Sequence, residues 1–126
     1  MSIEKIETKN APGAVGPYSQ AIKANGFVFI SGQTPIDPAT GKMAEGNVAE
    51  LARQSLKNAA AIAEAAGTSL SKAVKTTVFL TDMADFAEVN GEYAKWFPGT
   101  FPARSCFAVK TLPVGAKVEI EVICEA

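Results

Sequence analysis

The final strand-like stretch of this 126-residue chain reads Lys117-Val118-Glu119-Ile120-Glu121-Val122. Apolar and acidic side chains alternate along it, and successive side chains of a strand point to opposite faces of the sheet. The apolar residues are therefore expected on a buried face, with Glu119 and Glu121 on the opposite face. This pattern predicts a half-buried strand that continues to Cys124, in a sheet with one protected side.

A second strand is predicted just upstream, at about Ala103 to Val109, and Leu112-Pro113-Val114-Gly115 would connect the two. Alternation places Arg104 and Cys106 on one face of this strand and the residues between and after them on the other. Arg104 is the only arginine in this part of the chain. The predicted strand therefore presents a fixed cation on a single, defined face.

Two further extended runs, Tyr18 to Ala24 and Phe27 to Ser31, are separated by Asn25-Gly26. This pair tolerates the positive φ angles of a two-residue hairpin turn, so the two runs are expected to pair as antiparallel strands. Residues 32–41 contain two prolines together with other turn formers. Proline cannot donate to a sheet ladder, and this stretch therefore predicts a surface loop.

Apolar residues recur at helical spacing from residue 47 to residue 66, which predicts an amphipathic helix. Asn47 is suited to the N-cap, and Glu50 stands three residues later, as in a capping box. The run from Val74 to Leu80 is apolar and β-branched, as expected of a buried strand. Asp82 is then the expected cap of a second helix that ends before a Pro-Gly pair.

The order of these elements predicts an α+β fold in a single domain, residues 1–126. A short strand at Ile3 to Thr8 would complete one mixed β-sheet of about six strands, with two helices packed on one face. Two helices can cover only one face of such a sheet. The opposite face still carries apolar side chains that water would penalise, so we expect an oligomer that buries it.

The composition excludes several classes of partner and site. Twelve basic and thirteen acidic residues give a net charge of −1, which offers no electrostatic footprint for nucleic acid or an anionic membrane. The first ten residues resemble neither a secretory signal nor a transit peptide, and no run is long enough to span a membrane. Cys106 and Cys124 lack CxxC spacing, and there is no histidine. We therefore expect a cytoplasmic protein without a metal site.

In a chain without histidine, chemistry must rest on a fixed cation, a carboxylate, hydroxyls and backbone amides. Arg104 is the candidate cation and Glu119 the candidate carboxylate. The alternative is a surface or interface ion pair between these two residues across adjacent strands. Cys106 beside a cation could be an activated thiol, but a buried structural cysteine is the commoner case. Asn90 is polar on an otherwise apolar helical face and must find hydrogen-bond partners.

Six motifs in order resemble the successive signatures of the reactive intermediate deaminase family, also called RidA or YjgF. The resemblance runs from about Asn10 to Ala126. The motifs are Gly16-Pro17-Tyr18-Ser19-Gln20-Ala21, Phe29-Ile30-Ser31-Gly32-Gln33, Val74-Lys75-Thr76-Thr77-Val78-Phe79-Leu80 with Asp82-Met83, Phe86-Ala87-Glu88-Val89-Asn90, Pro102-Ala103-Arg104-Ser105-Cys106 and Val118-Glu119-Ile120-Glu121-Val122.

The resemblance implies a chorismate-mutase-like fold and a homotrimer with three equivalent clefts between subunits. It also implies hydrolysis of 2-imino acids, such as 2-iminobutanoate and 2-iminopropanoate, to 2-oxo acids and ammonia without a cofactor. Arg104 matches the family's arginine that holds the substrate carboxylate, and Glu119 the glutamate that positions the attacking water. The positions that match residues lining or supporting the cleft are Tyr18, Ser31, Gly32, Asn90 and the main chain at Cys106.

Two other functions compete with deamination. A non-catalytic regulatory protein could use the same Arg104 cleft to bind small carboxylates, since a fold and a pocket do not prove turnover. Glu119 favours the enzyme, because a carboxylate sensor needs no group to position water. Ribonuclease activity is attached to some family members, but the balanced charge and the lack of histidine argue against it here.

Overall fold

The computed structural model describes residues 2–126, which form a mixed six-stranded sheet, a separate two-stranded sheet and two α-helices. The predicted α+β class, with both helices on one face of the main sheet, is confirmed. Along the chain the elements are β1 (Glu4–Ile6), β2 (Ala21–Ala24), β3 (Phe27–Gln33), β4 (Ile36–Asp37), β5 (Lys42–Met43), α1 (Val48–Ala65), β6 (Ala73–Leu80), α2 (Phe86–Ala94), β7 (Ala103–Ala108) and β8 (Val118–Glu125).

The main sheet has the strand order β1-β2-β3-β8-β6-β7. β6 and β7 pair in parallel, whereas the other neighbouring strands are antiparallel. A parallel pair needs a crossover connection, and α2 provides it between β6 and β7. The last strand of the chain, β8, therefore lies in the interior of the sheet, and β7 forms one edge.

Helix α1 packs against β3 and β8 and forms much of the core. The predicted capping box is present: the Asn47 side chain accepts a hydrogen bond from the Glu50 amide at 3.0 Å. The Glu50 carboxylate in turn accepts one from the Asn47 amide at 3.1 Å. Leu56 and Ile62 of α1 are fully buried, as is Ile120 of β8. Full burial of side chains of this size contributes about 1.5–3 kcal/mol each.

The predicted hairpin joins β2 to β3 through Asn25 and Gly26, whose φ angles are 51° and 82°. Two consecutive positive φ angles define the turn that matches the twist of a hairpin. β3 then continues beyond the predicted end. Between Ile30 and Gln33 it carries a bulge of one extra residue relative to the Val122–Ile120 segment of β8. Residues 31 and 32 form this bulge.

The predicted loop at residues 32–41 contains more order than the sequence indicates. β4 and β5 pair as a small hairpin outside the main sheet. The buried Asn58 side chain of α1 donates hydrogen bonds to the carbonyls of Thr34 and Ile36, at 3.2 and 2.8 Å. A long-range side-chain contact thus stabilises this segment, and local turn chemistry could not predict it.

The start of the second helix also differs from the prediction. The Asp82 side chain accepts a hydrogen bond from the Ala84 amide at 2.9 Å, but it caps a single 3₁₀ turn, Met83–Asp85. α2 begins only at Phe86. Such turns are frequent at helix N-termini, and the predicted cap lies at the beginning of this turn.

The face of the sheet opposite the helices is open within the chain and rich in aromatic side chains. Phe29 and Phe107 are 44% and 45% exposed, and Phe107 packs edge-to-face on Phe79 with ring centroids 5.4 Å apart. An exposed aromatic face of this kind is typical of an interaction surface. Within residues 2–126, neither helix is long and apolar enough to cross a membrane.

Candidate active site

Arg104 lies in β7 and is held by one face of α2. Its Nη1 donates a hydrogen bond to Oδ1 of Asn90 at 2.7 Å. The guanidinium carbon lies 4.9 Å from the ring centroid of Tyr93 and 5.5 Å from that of Phe86. These three α2 residues are spaced four and three apart, so they share one face of the helix. We call Phe86, Asn90, Tyr93 and Arg104 the arginine shelf.

Tyr93 is fixed from two sides. Its hydroxyl forms a hydrogen bond with the buried Thr76 hydroxyl of β6 at 2.7 Å, and its ring packs on Phe97 with centroids 4.6 Å apart. Burial raises the pKa of Tyr93, which keeps this hydroxyl protonated. The ring on which Arg104 rests is therefore part of the core, and the guanidinium orientation is determined by the fold.

The arginine shelf provides a cation without an acidic partner among the residues that the structure describes. Among the side chains of residues 2–126, none of the carboxylates approaches the guanidinium within 4.0 Å. A cavity of about 440 Å³ opens beside Arg104, and Tyr93, Phe101 and Pro102 form part of its wall. Because Asn90 occupies only one N–H, the other donors of the planar guanidinium remain available to a carboxylate.

A buried carboxylate anchors α2 to α1. Glu92 is only 4% exposed, and it accepts hydrogen bonds from Arg53 at 3.2 Å, Trp96 at 2.9 Å and Lys95 at 3.4 Å. Burial raises the pKa of Glu92, but these three donors outweigh burial and hold it below the usual glutamate range. The network therefore fixes the helix that carries the arginine shelf.

Cys106 follows Arg104 by two residues and lies on the same face of β7, partly buried. Burial raises the pKa of its thiol, although the nearby Arg104 acts in the opposite direction. Raised pKa values make a thiol less reactive at neutral pH. The activated-thiol alternative is therefore disfavoured, and the free Cys106 packs against the hydrophobic core.

Glu119 lies on the open face of β8, next to the bulge in β3. A methyl group added to Gly32 would lie 2.6 Å from Oε2 of Glu119, so glycine leaves the space that this carboxylate occupies. A groove of about 710 Å³ brings together Tyr18, Ser31, Gly32 and Glu119, and the 113–114 turn completes the wall. We call this the glutamate groove.

The electrostatic environment of Glu119 is opposite to that of Arg104. Burial raises the pKa of Glu119, and the neighbouring Glu121 raises it further. No ion pair neutralises this carboxylate within the described chain. A half-buried carboxyl with a raised pKa in a groove is typical of a functional group, because it is closer to exchanging a proton at neutral pH.

Tyr18 and Ser31 hold the loop that borders the glutamate groove. The Ser31 hydroxyl donates a hydrogen bond to the Ser19 carbonyl at 2.6 Å, and the Tyr18 hydroxyl accepts one from the Val15 amide at 3.3 Å. Tyr18 remains 50% exposed. The buried Gln20 side chain donates to the carbonyls of residues 8, 11 and 12 and so attaches the N-terminal segment to this loop.

The structure separates the predicted site residues into these two groups. Arg104 is registered with Thr76, whereas Glu119 is registered with Phe79, and residues three apart in β6 face opposite sides of the sheet. β6 also lies between β7 and β8. Within one chain, an Arg104–Glu119 ion pair across adjacent strands is therefore wrong, whereas an interface pair between copies stays a prediction. One group lies on the helical face and the other on the open face.

Sequence reasoning did not identify Tyr93 and Phe86 as site residues. Aromatic side chains on the apolar face of a helix are usually core, so their residue type gives no signal of a site. The signal that could have found them is the position of Asn90 between them, since a polar residue on such a face indicates that the face meets a polar group. That polar group is Arg104.

Comparison with known proteins gives the same family as the sequence motifs, and the match covers nearly the whole chain. The family model described as Endoribonuclease L-PSP matches residues 8–126. The chain belongs to this family, which is the RidA/YjgF family that its motifs resemble. A RutC family protein, y4sK of Sinorhizobium fredii, is 61% identical over 121 residues, which are 96% of each chain.

Two further RidA-family proteins extend this comparison. The 2-iminobutanoate/2-iminopropanoate deaminase of Salmonella typhimurium is 52% identical over 94% of each chain. The crystal structure of YyfA from Yersinia pestis, a Rid-family protein of unknown function, superimposes with a TM-score of 0.96 at 52% identity and covers 99% of this chain and 100% of YyfA. The six-stranded sheet with two helices is thus the fold of a RidA-family protein.

Proposed function

We propose that this protein hydrolyses 2-imino acids, such as 2-iminobutanoate and 2-iminopropanoate, to 2-oxo acids and ammonia. The observation that carries the proposal is the pair of complementary, unneutralised groups: the arginine shelf and the glutamate groove. The identity with a protein named as a deaminase supports the same chemistry. Substrate would bind between neighbouring copies of the chain in a homotrimer, where one copy supplies the shelf and the next supplies the groove.

The sheet supports the proposal that a second copy completes the cleft. Arg104 and Glu119 face opposite sides of it, so one small substrate cannot touch both within a single chain. The open face is aromatic and lacks cover inside the described chain. Burying this face between copies would remove apolar surface from water and would bring the Glu119 side of one copy toward another. A homotrimer with three shared clefts satisfies both requirements.

Each group has a distinct task in this reaction. The Arg104 guanidinium would hold the substrate carboxylate through two parallel hydrogen bonds, with Asn90 and Tyr93 keeping its orientation. The Glu119 carboxylate would accept a proton as the water oxygen bonds to the imine carbon, and the electron pair of the C=N bond moves to nitrogen. Glu119 then returns this proton to the nitrogen, and the C–N bond breaks to release ammonia as the hydroxyl of the intermediate gives its proton back to Glu119 and its oxygen forms the C=O bond. An iminium carbon beside a carboxylate is already electrophilic, so positioning is sufficient and no cofactor is needed.

The direct test generates the imines in situ. An amino-acid oxidase or a threonine dehydratase produces 2-iminopropanoate or 2-iminobutanoate, and the decay of each is followed with and without this protein. We expect faster decay, together with light scattering at about three times the 13.1 kDa chain mass. Activity is also expected to survive chelation by EDTA. Unchanged decay of both imines would refute the proposed reaction, and a monomer at micromolar concentration would refute the shared cleft.

Two other candidate functions can be tested with the same protein. The neutral surroundings of Arg104 would also suit a regulatory protein that binds small carboxylates without turnover, and 2-oxo acid binding without imine decay would identify it. The family description names an endoribonuclease, which favours testing RNA. We expect no cleavage of single-stranded RNA, because the net charge is −1 and the chain has no histidine.

A further inference from the structure

Val114 has a backbone conformation that its side chain disfavours. Its φ and ψ are 55° and 25°, in the left-handed region, and Gly115 follows with a φ of 71°. β-branched residues are genuine outliers there, because the branched Cβ meets the backbone. Glycine would adopt the same turn without strain. The turn between β7 and β8 thus carries a valine at a position where glycine would be less strained.

The side chain of Val114 contributes nothing to the core that would explain this strain. It is 66% exposed, while its neighbour Ala116 is buried. What Val114 does border is the glutamate groove, whose wall also contains Tyr18, Gly32 and Glu119. Strained residues that the core does not require cluster at ligand sites. The position of Val114 therefore points to a contact outside the fold.

The glutamate groove has a defined chemical character. Its lining is largely apolar, and among the residues that form it the charged members are Glu119 and Glu121 alone. An anionic group placed in this groove would face two carboxylates without a cation. An apolar group would instead contact side chains that are otherwise left exposed to water.

We propose that Val114 is a specificity-determining residue whose side chain forms the apolar wall for the substrate side chain. The groove then prefers 2-imino acids with apolar side chains and rejects those with an anionic side chain. This inference rests on the proposed function: the α-carboxylate occupies the arginine shelf of one copy, so the side chain extends along the glutamate groove of the other. Val114 takes no part in the bond-making step.

The experiment compares Val114→Gly and Val114→Lys with the parent. Imines of alanine, leucine and glutamate are generated by the matching amino-acid oxidases, and kcat/KM is measured for each. Val114→Gly should lower the leucine-to-alanine ratio by about 10-fold, the loss expected when a pocket loses apolar contacts. Val114→Lys should raise the glutamate-to-leucine ratio by roughly threefold to fivefold, as expected of an exposed charge pair. Ratios within one protein are independent of its folded fraction.

Asn25→Gly provides the matched control. Asn25 also has a positive φ, 51°, but it lies in the β2–β3 turn and does not line the groove. Val114→Gly should melt at or above the parental temperature and Asn25→Gly close to it, and Asn25→Gly should keep both substrate ratios. Unchanged ratios in both Val114 variants of an active protein would overturn the inference and leave the proposed function intact. An inactive parent would instead overturn the proposed function.

Discussion

The arginine shelf and the glutamate groove hold their charged side chains in different ways. Arg104 is held by one hydrogen bond and two aromatic rings from a helix that is itself anchored by a buried carboxylate. Glu119 lies against a bulge, and no cation of the described chain pairs with it. The shelf thus fixes a charge by packing, whereas the groove raises the pKa of its charge by burial and by a like-charged neighbour.

In the proposed reaction, this difference would assign binding to Arg104 and proton transfer to Glu119. An arginine stays charged at every relevant pH, so the protein need only orient its guanidinium. Contacts with Phe86, Asn90 and Tyr93 in the shelf provide this orientation. A glutamate that must accept and return a proton works best when its pKa approaches the working pH. Placing the two groups on opposite faces also prevents them from neutralising each other inside one chain.

The largest expected effect comes from the groove. Glu119→Gln keeps the shape of the side chain but removes the proton acceptor, so turnover should fall by about 100-fold or more. Binding of a 2-oxo acid should persist, because the arginine shelf is unchanged. Steady-state kinetics and calorimetric binding check these two outcomes. Turnover equal to that of the parent would remove Glu119 from the mechanism.

The raised pKa of Glu119 gives the same variant a pH signature. In the parent, kcat/KM should fall as the pH drops through the Glu119 pKa, above the ordinary glutamate range, and Glu119→Gln should lack this limb. The free energy of unfolding changes with pH in the opposite direction to kcat/KM. A raised pKa means that the folded state loses stability as the pH rises through the Glu119 pKa, so the glutamine variant should be no less stable at neutral pH.

The second effect tests the shelf. Truncating one partner of a close charge pair costs about 2–5 kcal/mol, so Arg104→Ala should lower kcat/KM by about 30-fold or more. Arg104→Lys keeps the charge but loses the planar pair of donors. Its activity should therefore lie between that of the parent and that of Arg104→Ala. Light scattering and thermal melting serve as controls. An alanine variant with parental turnover, or one inactive only because the proposed trimer dissociates, would return Arg104 to a structural role.

The third prediction concerns Glu92, which anchors the helix that carries the arginine shelf but is not itself part of the shelf. Glu92→Gln removes the charge that accepts from Arg53, Trp96 and Lys95, and we expect a loss of about 2 kcal/mol in unfolding free energy. Because the Glu92 pKa is lowered in the folded state, this stabilisation is present above the ordinary glutamate pKa. It is lost as the pH falls through the lowered pKa.

Denaturant unfolding at neutral and acidic pH measures the Glu92 effect. Glu88→Gln is the matched control, because Glu88 is an exposed glutamate of the same helix. The gap between Glu92→Gln and the parent should close at acidic pH, while the control should follow the parent throughout. A gap that stays constant with pH would show that shape, and not charge, explains the role of Glu92.

Local patterns predicted much of this fold, and their failures have a common cause. The alternation in β8 and the capping box of α1 depend on neighbouring residues, and both are confirmed. Strand order depends on distant pairing, so the sequence could not show that β6 separates Arg104 from Glu119. The order in the 32–41 segment similarly depends on Asn58, a residue in the interior of α1.

The smallest predicted effects contrast two tyrosines, one from each region. Tyr93→Phe removes a buried hydroxyl and leaves the Thr76 hydroxyl, 2.7 Å away, without its partner. The expected cost is about 1–2 kcal/mol of stability, with activity nearly unchanged because the ring beneath Arg104 remains. Tyr18→Phe removes a hydroxyl that accepts a longer, exposed hydrogen bond, so stability should stay within about 0.5 kcal/mol.

Activity should show the reverse order, since Tyr18 borders the glutamate groove and its hydroxyl, which accepts from Val15, still has its proton to donate to a substrate. We expect a reduction in kcat/KM of about threefold to tenfold for Tyr18→Phe, the effect of losing one neutral hydrogen bond. Denaturant unfolding and imine decay are measured on both variants side by side. Equal losses of stability and activity in the two variants would contradict the division between a region fixed by packing and a region open to the ligand.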